Sequence, residues 1–283
     1  MYKAKANINN IIKLREKTGF GIFDCKKALI EVKGNFDKAI EYLRKNSINK
    51  VYNSSDHNPN PNPNPNPSQG LLLSKVSSNN KKGIIIGINC ETDFVAKNNL
   101  FITLAHEIAE IAINCNDKDE ILSTSIRNIS IKEILLEKMT IIGEKITINI
   151  FEKLESFFVE KYVHHGNKIA AIVGLSTAPE GVNIIGKELA MQIVAMNPIA
   201  LNEEELPFNM LQKEKEILKE QERRFGKSED LLEKIVQGKI KKFTHDKTLI
   251  CQKYIKNQKI TVQNYLKRFN SNIYITGYKR MFI

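Results

Sequence analysis

The chain has no tryptophan, only four cysteines in 283 residues, and no apolar run near the ~20 residues that cross a bilayer. Its longest apolar stretches, such as Ile169 to Leu175 (IAAIVGL), stop far short of that length, so no membrane span is expected. No charged start followed by an apolar stretch opens the sequence, which argues against a secretory signal, and no Arg/Ser-rich transit segment precedes the first helical pattern. Cys25, Cys90, Cys115 and Cys251 lie far apart, without a C-x-x-C pair or a His at ligand spacing. That spacing speaks against a disulfide framework and a zinc site and implies reduced thiols.

Catalytic groupings are missing too. No Ser/His/Asp or Cys/His constellation stands out. His164 and His165 are neighbours at a strand end, where successive side chains point to opposite faces, so they do not chelate one ion together. Gly181 to Glu188 (GVNIIGKE) nearly fits a phosphate loop, but Glu188 stands where a magnesium-binding hydroxyl is needed, and Val182, Ile184 and Ile185 crowd the amide nest. The expectation is a protein with no catalytic residues, no metal, no cofactor and no small-molecule substrate.

What is present is 42% hydrophobic residues, enough for one or two globular cores, and a formal charge of +11 that is unevenly spread. From Lys239 to Ile283 there are eleven Lys or Arg and one acid, Asp246, so the rest of the chain is close to neutral. Such a segment suits an RNA or membrane-surface contact, or simply a solvated face in a Lys/Asn/Ile-biased chain.

The apolar periodicity predicts an α+β fold. Residues 1–47 read as three short helices: Ile11, Ile12 and Leu14 start one stripe, Ile22, Phe23, Ala28 and Leu29 a second, and Phe36, Ala39, Ile40 and Leu43 a third, with Gly34 as a stop and Asn35 as a cap. Residues 48–69 form a linker whose five Asn-Pro repeats, Asn58 to Pro67, can join neither a helix nor a sheet. Residues 70–154 start a core with strand, turn, strand and then an amphipathic helix over Asn98 to Ile113; residues 155–203 repeat hairpin and helix, and 244–283 complete that second subdomain. Between the two, Ser130 to Ile146 reads as a further helix. Residues 204–243 read as a projecting antiparallel helical hairpin, with Gly226 as the break and Ser228 as the next cap.

One corner stands apart: NCETDFVAKN, Asn89 to Asn98, sets Asp93 beside Phe94 between a strand and a helix. Its local pattern reads as a capped helix start with Phe94 tucked into the core. Yet this stretch and LREKTGFGIFDCKKAL, Leu14 to Leu29, both resemble signature motifs of the elongation factor Ts family. The likeness runs in order through IIGEKITI, HHGNKIAAIVGL, MQIVAMNPIAL, EKIVQGKIKKF and the final TVQNYLKRFNSNIYITGYKRMFI.

The resemblance implies a guanine-nucleotide exchange factor acting on elongation factor Tu, with no bond-making chemistry of its own. It implies that the first helices are a ubiquitin-associated-like module meeting Tu's nucleotide domain through Leu14, Arg15, Thr18, Gly19, Gly21, Lys26 and Lys27. The intruding element is carried over to Asp93 and Phe94, framed by Thr92 and Val95, and His165 corresponds to a contact with the far domain of Tu. The family pattern differs in having Glu where this chain has Gly87, a lysine-rich helical connector where the Asn-Pro linker stands, and in some members an acidic terminal helix.

Two other readings compete: an RNA- or ribosome-binding module using the basic C-terminal segment, and a ubiquitin-binding surface on the Gly19-Phe20-Gly21 loop. Direct nucleic-acid binding is not the expectation. The Asn-Pro repeats and heavy Asn and Ile usage favour a eukaryotic organelle, mitochondrion or plastid, over the bacterial cytoplasm.

Overall fold

The computed structural model describes residues 7–18, 20–43, 69–223 and 229–283. The linker expected over 48–69 falls outside them except for Gln69, as do Gly226 and Ser228 of the helical hairpin. The chain is α+β. It divides into two compact units, one of Met1–Leu73, Ile86–Phe151 and Ile283, the other of Ser74–Ile85 and Glu152–Phe282.

In the first unit, α1 (Ile8–Thr18), α2 (Ile22–Glu31) and α3 (residues 36–43 of it described) bury Ile11, Leu14, Phe20, Cys25, Ala28, Leu29, Ala39 and Leu43 against each other. The stripe expected on α2 is rotated: Cys25, Ala28 and Leu29 face inward, whereas Ile22 is half exposed and Phe23 is 87% exposed. Asn35 caps α3 by accepting the Lys38 N–H at 3.0 Å. Left-handed Gly34 ends the turn before it at φ +86°, a conformation that glycine adopts without steric cost.

Strands β1 (Gln69–Val76) and β2 (Lys82–Cys90) form a hairpin whose turn closes with Ser77 N–H on the Lys82 carbonyl at 2.9 Å. The sheet order is β1-β2-β5, so β2 lies in the middle and is almost entirely buried. β5 (Thr147–Glu155) is a strand that the apolar pattern does not announce, because its residues are half-buried without a clean alternation. After β2 come α4 (Asp93–Ala96) and α5 (Asn99–Ala112), which buries Phe101, Leu104, Ala105, Ile108, Ala109 and Ala112. That three-and-four spacing is the core-facing stripe of an amphipathic helix. α6 (Lys118–Ser123) and the short pair β3 (Ser125–Ile126) and β4 (Ile129–Ser130) lead into α7 (Ile131–Ile142), which a Ser130/Glu133 capping box starts and left-handed Gly143 stops.

The second unit repeats the order of hairpin and helix. β6 (Phe158–Val163) and β7 (Ile169–Leu175) pair antiparallel, with Phe158 opposite Leu175 and Val163 opposite Ala170. α8 (Val182–Met196) follows, and β10 (Ile275–Phe282) pairs with the other side of β7. The core joins α8 residues Ile185, Leu189 and Ile193 to Ala171, Val173 and Leu175 of β7 and to Val262 and Leu266 of α11 (Val262–Phe269). α9 (Phe208–Arg223) and α10 (Glu229–Lys247) form the helical pair on a thin apolar seam of Leu218, Leu232 and Val236, closed by Lys239 on the buried Glu222 carboxylate at 2.5 Å. Ile217 and Leu231, apolar residues of the same two helices, are half exposed. β8 (Lys253–Tyr254) and β9 (Asn257–Thr261) complete the unit.

Candidate functional site

Where β2 ends, Cys90 is fully buried and the chain turns through Glu91 and Thr92 into α4. Thr92 is extended at φ −118°, ψ 155°, and its hydroxyl oxygen accepts the Val95 N–H at 3.4 Å, satisfying one of the donors that a helix start leaves open. This cap sends Val95 and Ala96 inward, at 8% and 6% exposure, and leaves Asp93 and Phe94 in water. Phe94 is 81% exposed, so it is not the core staple that its local pattern suggests. Leaving such a ring in water forgoes roughly 1.5–3 kcal/mol of burial.

One turn on, Lys97 Nζ donates to Asp93 Oδ2 at 2.7 Å, and this hydrogen bond and the lysine's charge hold the Asp93 carboxyl below the usual carboxylate range. Asn98 then caps α5, accepting the Leu100 N–H at 2.8 Å. Two caps in seven residues thus build a single extra turn of helix between strand and main helix.

The corner is held from a second element. Just past Gly143, at φ +83°, Glu144 accepts the Glu91 and Thr92 N–H groups at 3.2 and 3.0 Å on one oxygen and the Thr92 hydroxyl at 2.5 Å on the other. Glu91 replies by accepting the Lys145 N–H at 3.4 Å. Nothing in the local pattern singles out Glu144; only its place in IIGEKITI, after a helix stop, marks it.

In the N-terminal module the expected contact residues separate into two groups. Leu14 is fully buried in the module's core, and half-buried Thr18 spends its hydroxyl on the Leu14 carbonyl at 2.5 Å. Arg15, Gly21, Lys26 and Lys27 are exposed, and Gly19 lies outside the described residues. Lys26 and Lys27 line a shallow depression with Phe23, Asp24 and Ile30. Sequence reasoning misses Phe23 as a surface residue because three-and-four spacing places it on the inner stripe. Phe20 is buried, which removes it from any ubiquitin-binding surface on that loop.

His165, in the second unit, is exposed in the β6–β7 turn beside left-handed Gly166 and Asn167, while His164 faces the Tyr162 hydroxyl at 3.2 Å. The near-miss phosphate loop is closed. Glu188 accepts the Tyr254 hydroxyl at 2.8 Å and Lys256 Nζ at 2.7 Å, it also accepts the Tyr265 hydroxyl, and Ile185 is buried. The two tyrosine rings stack with centroids 4.0 Å apart. Burial and the Glu188 carboxylate push the Tyr254 hydroxyl up to about 12 and that of Tyr265 up as well. Among the described residues no helix is long and apolar enough to cross a membrane, and no three His, Cys, Asp or Glu side chains gather as metal ligands.

The family described as Elongation factor TS matches residues 91–282. Elongation factor Ts of Christiangramia forsetii is 43% identical over 278 residues, covering 98% of each chain. That of Flavobacterium psychrophilum is 43% identical over 271 residues, covering 96% of each, and that of Amoebophilus asiaticus 36% identical over 277, covering 97% of each. These relatives are bacterial and give the organelle expectation no support; repeat content and Asn/Ile usage reflect base composition as readily as compartment. With the family matching most of the chain and relatives matching nearly all of it, the chain belongs to the elongation factor Ts family of translation elongation factors.

Proposed function

We propose that this chain binds GDP-bound elongation factor Tu and promotes release of GDP and its magnesium so that GTP can enter, in a bacterial-type translation system. The observation that carries the reading is Phe94, 81% exposed on a corner held by two helix caps and a carboxylate. A stiff aromatic projecting from a fixed backbone can wedge between elements of a partner and act as an interface hot spot. Asp93, an exposed carboxylate that Lys97 holds below the usual carboxylate range, offers an acceptor for whatever the wedge displaces. In this reading Arg15, Lys26, Lys27 and Phe23 of the N-terminal helices grip the nucleotide domain of Tu, and His165 meets its far domain.

The chain contributes binding energy and makes no bond. Each ~1.4 kcal/mol taken from nucleotide contacts weakens nucleotide binding tenfold. Coupling is reciprocal, so nucleotide expels the exchange factor as strongly as the factor expels nucleotide.

The test is a stopped-flow measurement of labelled GDP release from a bacterial-type Tu, with the intact chain, Asp93→Ala and Phe94→Ala. Acceleration by the intact chain that is lost in Phe94→Ala is expected; full activity in both variants would sink the reading. The rival RNA reading is weakened by the use made of the basic segment. Lys239, Lys256 and Lys279 are engaged by Glu222, Glu188 and Glu152, and Arg280 by the Val194 carbonyl.

A further inference from the structure

The end of α7 and the turn just after it carry two contacts that the exchange reading leaves unused. Near the helix end Ile141 packs against the core of the N-terminal module, and just past Gly143 Glu144 lays its carboxylate on the corner. The Glu91 and Thr92 amides lie just past the end of β2, and the carboxylate supplies their acceptor. The same carboxylate accepts a hydrogen bond from the Thr92 hydroxyl, while that hydroxyl's oxygen caps the helix on which Phe94 stands. Hydrogen bonds to an ionised acceptor are about twice as strong as neutral ones. One half-buried side chain therefore fixes the cap residue through its backbone and its side chain at once.

We infer that Glu144 is a positioning residue for Phe94. It holds the corner in its binding shape before a partner arrives, and α7 ties that shape to the N-terminal module. A corner ordered in advance loses less freedom on docking, so more of the wedge's contact energy is available to displace nucleotide. The consequence for exchange rests on the reading proposed above; the effect on the corner does not.

Two readouts on the full chain test this. The first is GDP release from a bacterial-type Tu with the intact chain, Glu144→Ala, Glu144→Gln, Phe94→Ala and the Phe94→Ala/Glu144→Ala double variant. The second is amide hydrogen exchange at Glu91, Thr92 and Val95 without Tu. Glu144→Ala should slow GDP release about tenfold and leave those amides poorly protected. Glu144→Gln, which keeps an acceptor for the two N–H groups and offers an N–H to the Thr92 oxygen, should stay within about threefold. The double variant should be no worse than Phe94→Ala, because a misplaced wedge and a missing wedge fail alike.

Full exchange activity in Glu144→Ala would overturn the proposal, as would losses that simply add in the double variant. Equal losses in Ala and Gln with protection intact would also overturn it, since Glu144 would then meet the partner through its charge. Failure of the intact chain to accelerate release would instead overturn the exchange reading. The amide data would still decide the corner, unchanged protection in Glu144→Ala counting against the proposal.

Discussion

Two connections in this chain leave the central strand of a three-stranded sheet for the helix that follows, β2 to α5 and β7 to α8. The second runs through Ser176, Pro179 and Gly181, whose φ of +78° starts α8 directly, and it exposes no aromatic. The first inserts α4, a separate turn with its own cap, and that turn carries Phe94 into solvent. Seven residues later Phe101, on α5, is fully buried. Strand order is shared, so the fold supplies a platform, and the inserted turn supplies the feature that can act on a partner.

Substituting the two phenylalanines breaks or sharpens this comparison most directly. Phe101→Ala should lower stability by about 3–5 kcal/mol, because it opens a cavity in a closed core; chemical denaturation would show it, and a near-native midpoint would contradict the buried assignment. Phe94→Ala should leave the unfolding free energy within about 0.5 kcal/mol of the parent. Its effect should appear in GDP release from Tu, slowed about 30-fold or more, as for a hot-spot aromatic. If instead it cost stability and spared exchange, the contrast between the connections would collapse.

A weaker effect is expected in alkali, from the buried tyrosines of the second unit. The Tyr254 hydroxyl titrates near 12 in the folded chain against an ordinary 10, and Tyr265 is raised too. The folded state then keeps protons that the unfolded state has lost. Their contribution is complete below pH 10 and disappears as pH climbs towards 12, on the order of 1–2 kcal/mol. Melting curves at pH 8, 10 and 11 should show the decline, and Glu188→Gln should lessen it, leaving the part that burial imposes on these hydroxyls and on Tyr278. Smallest of all, Lys97→Ala should change GDP release by less than about threefold, since an exposed pair one helical turn apart contributes little; a large loss would mean that Lys97 itself meets the partner.

Much of the architecture is legible from periodicity. α5 and α8 follow three-and-four spacing, and the β1–β2 and β6–β7 hairpins follow apolar runs broken by polar turns. β5 and β10 are not, since their residues are mostly half-buried and β10 carries Lys279 and Arg280, whose charges are taken up by Glu152 and a carbonyl. At the corner a cap is legible because its chemistry is local, although Thr92 and Asp93 both suit it in the sequence and only the structure picks Thr92. The direction of Phe94 is not, because an apolar residue after a cap suits either the core or the surface. What decides is which of Phe94 and Val95 the cap turns inward, and the Glu144 carboxylate that sets the cap comes from a distant loop.

Gly87 lies in the strand that leads to this corner. A β-carbon there would come within 2.9 Å of the Ile150 β-carbon and 3.2 Å of Leu72 Cδ2. The glutamate that the family resemblance leads one to expect therefore cannot be placed at position 87 by a single substitution without displacing the neighbouring strand. Trimming Ile150 to alanine would leave the clashing β-carbon in place, so a larger residue at 87 waits on a shift of β5 itself, and the tight spacing of these two strands reserves the position for glycine.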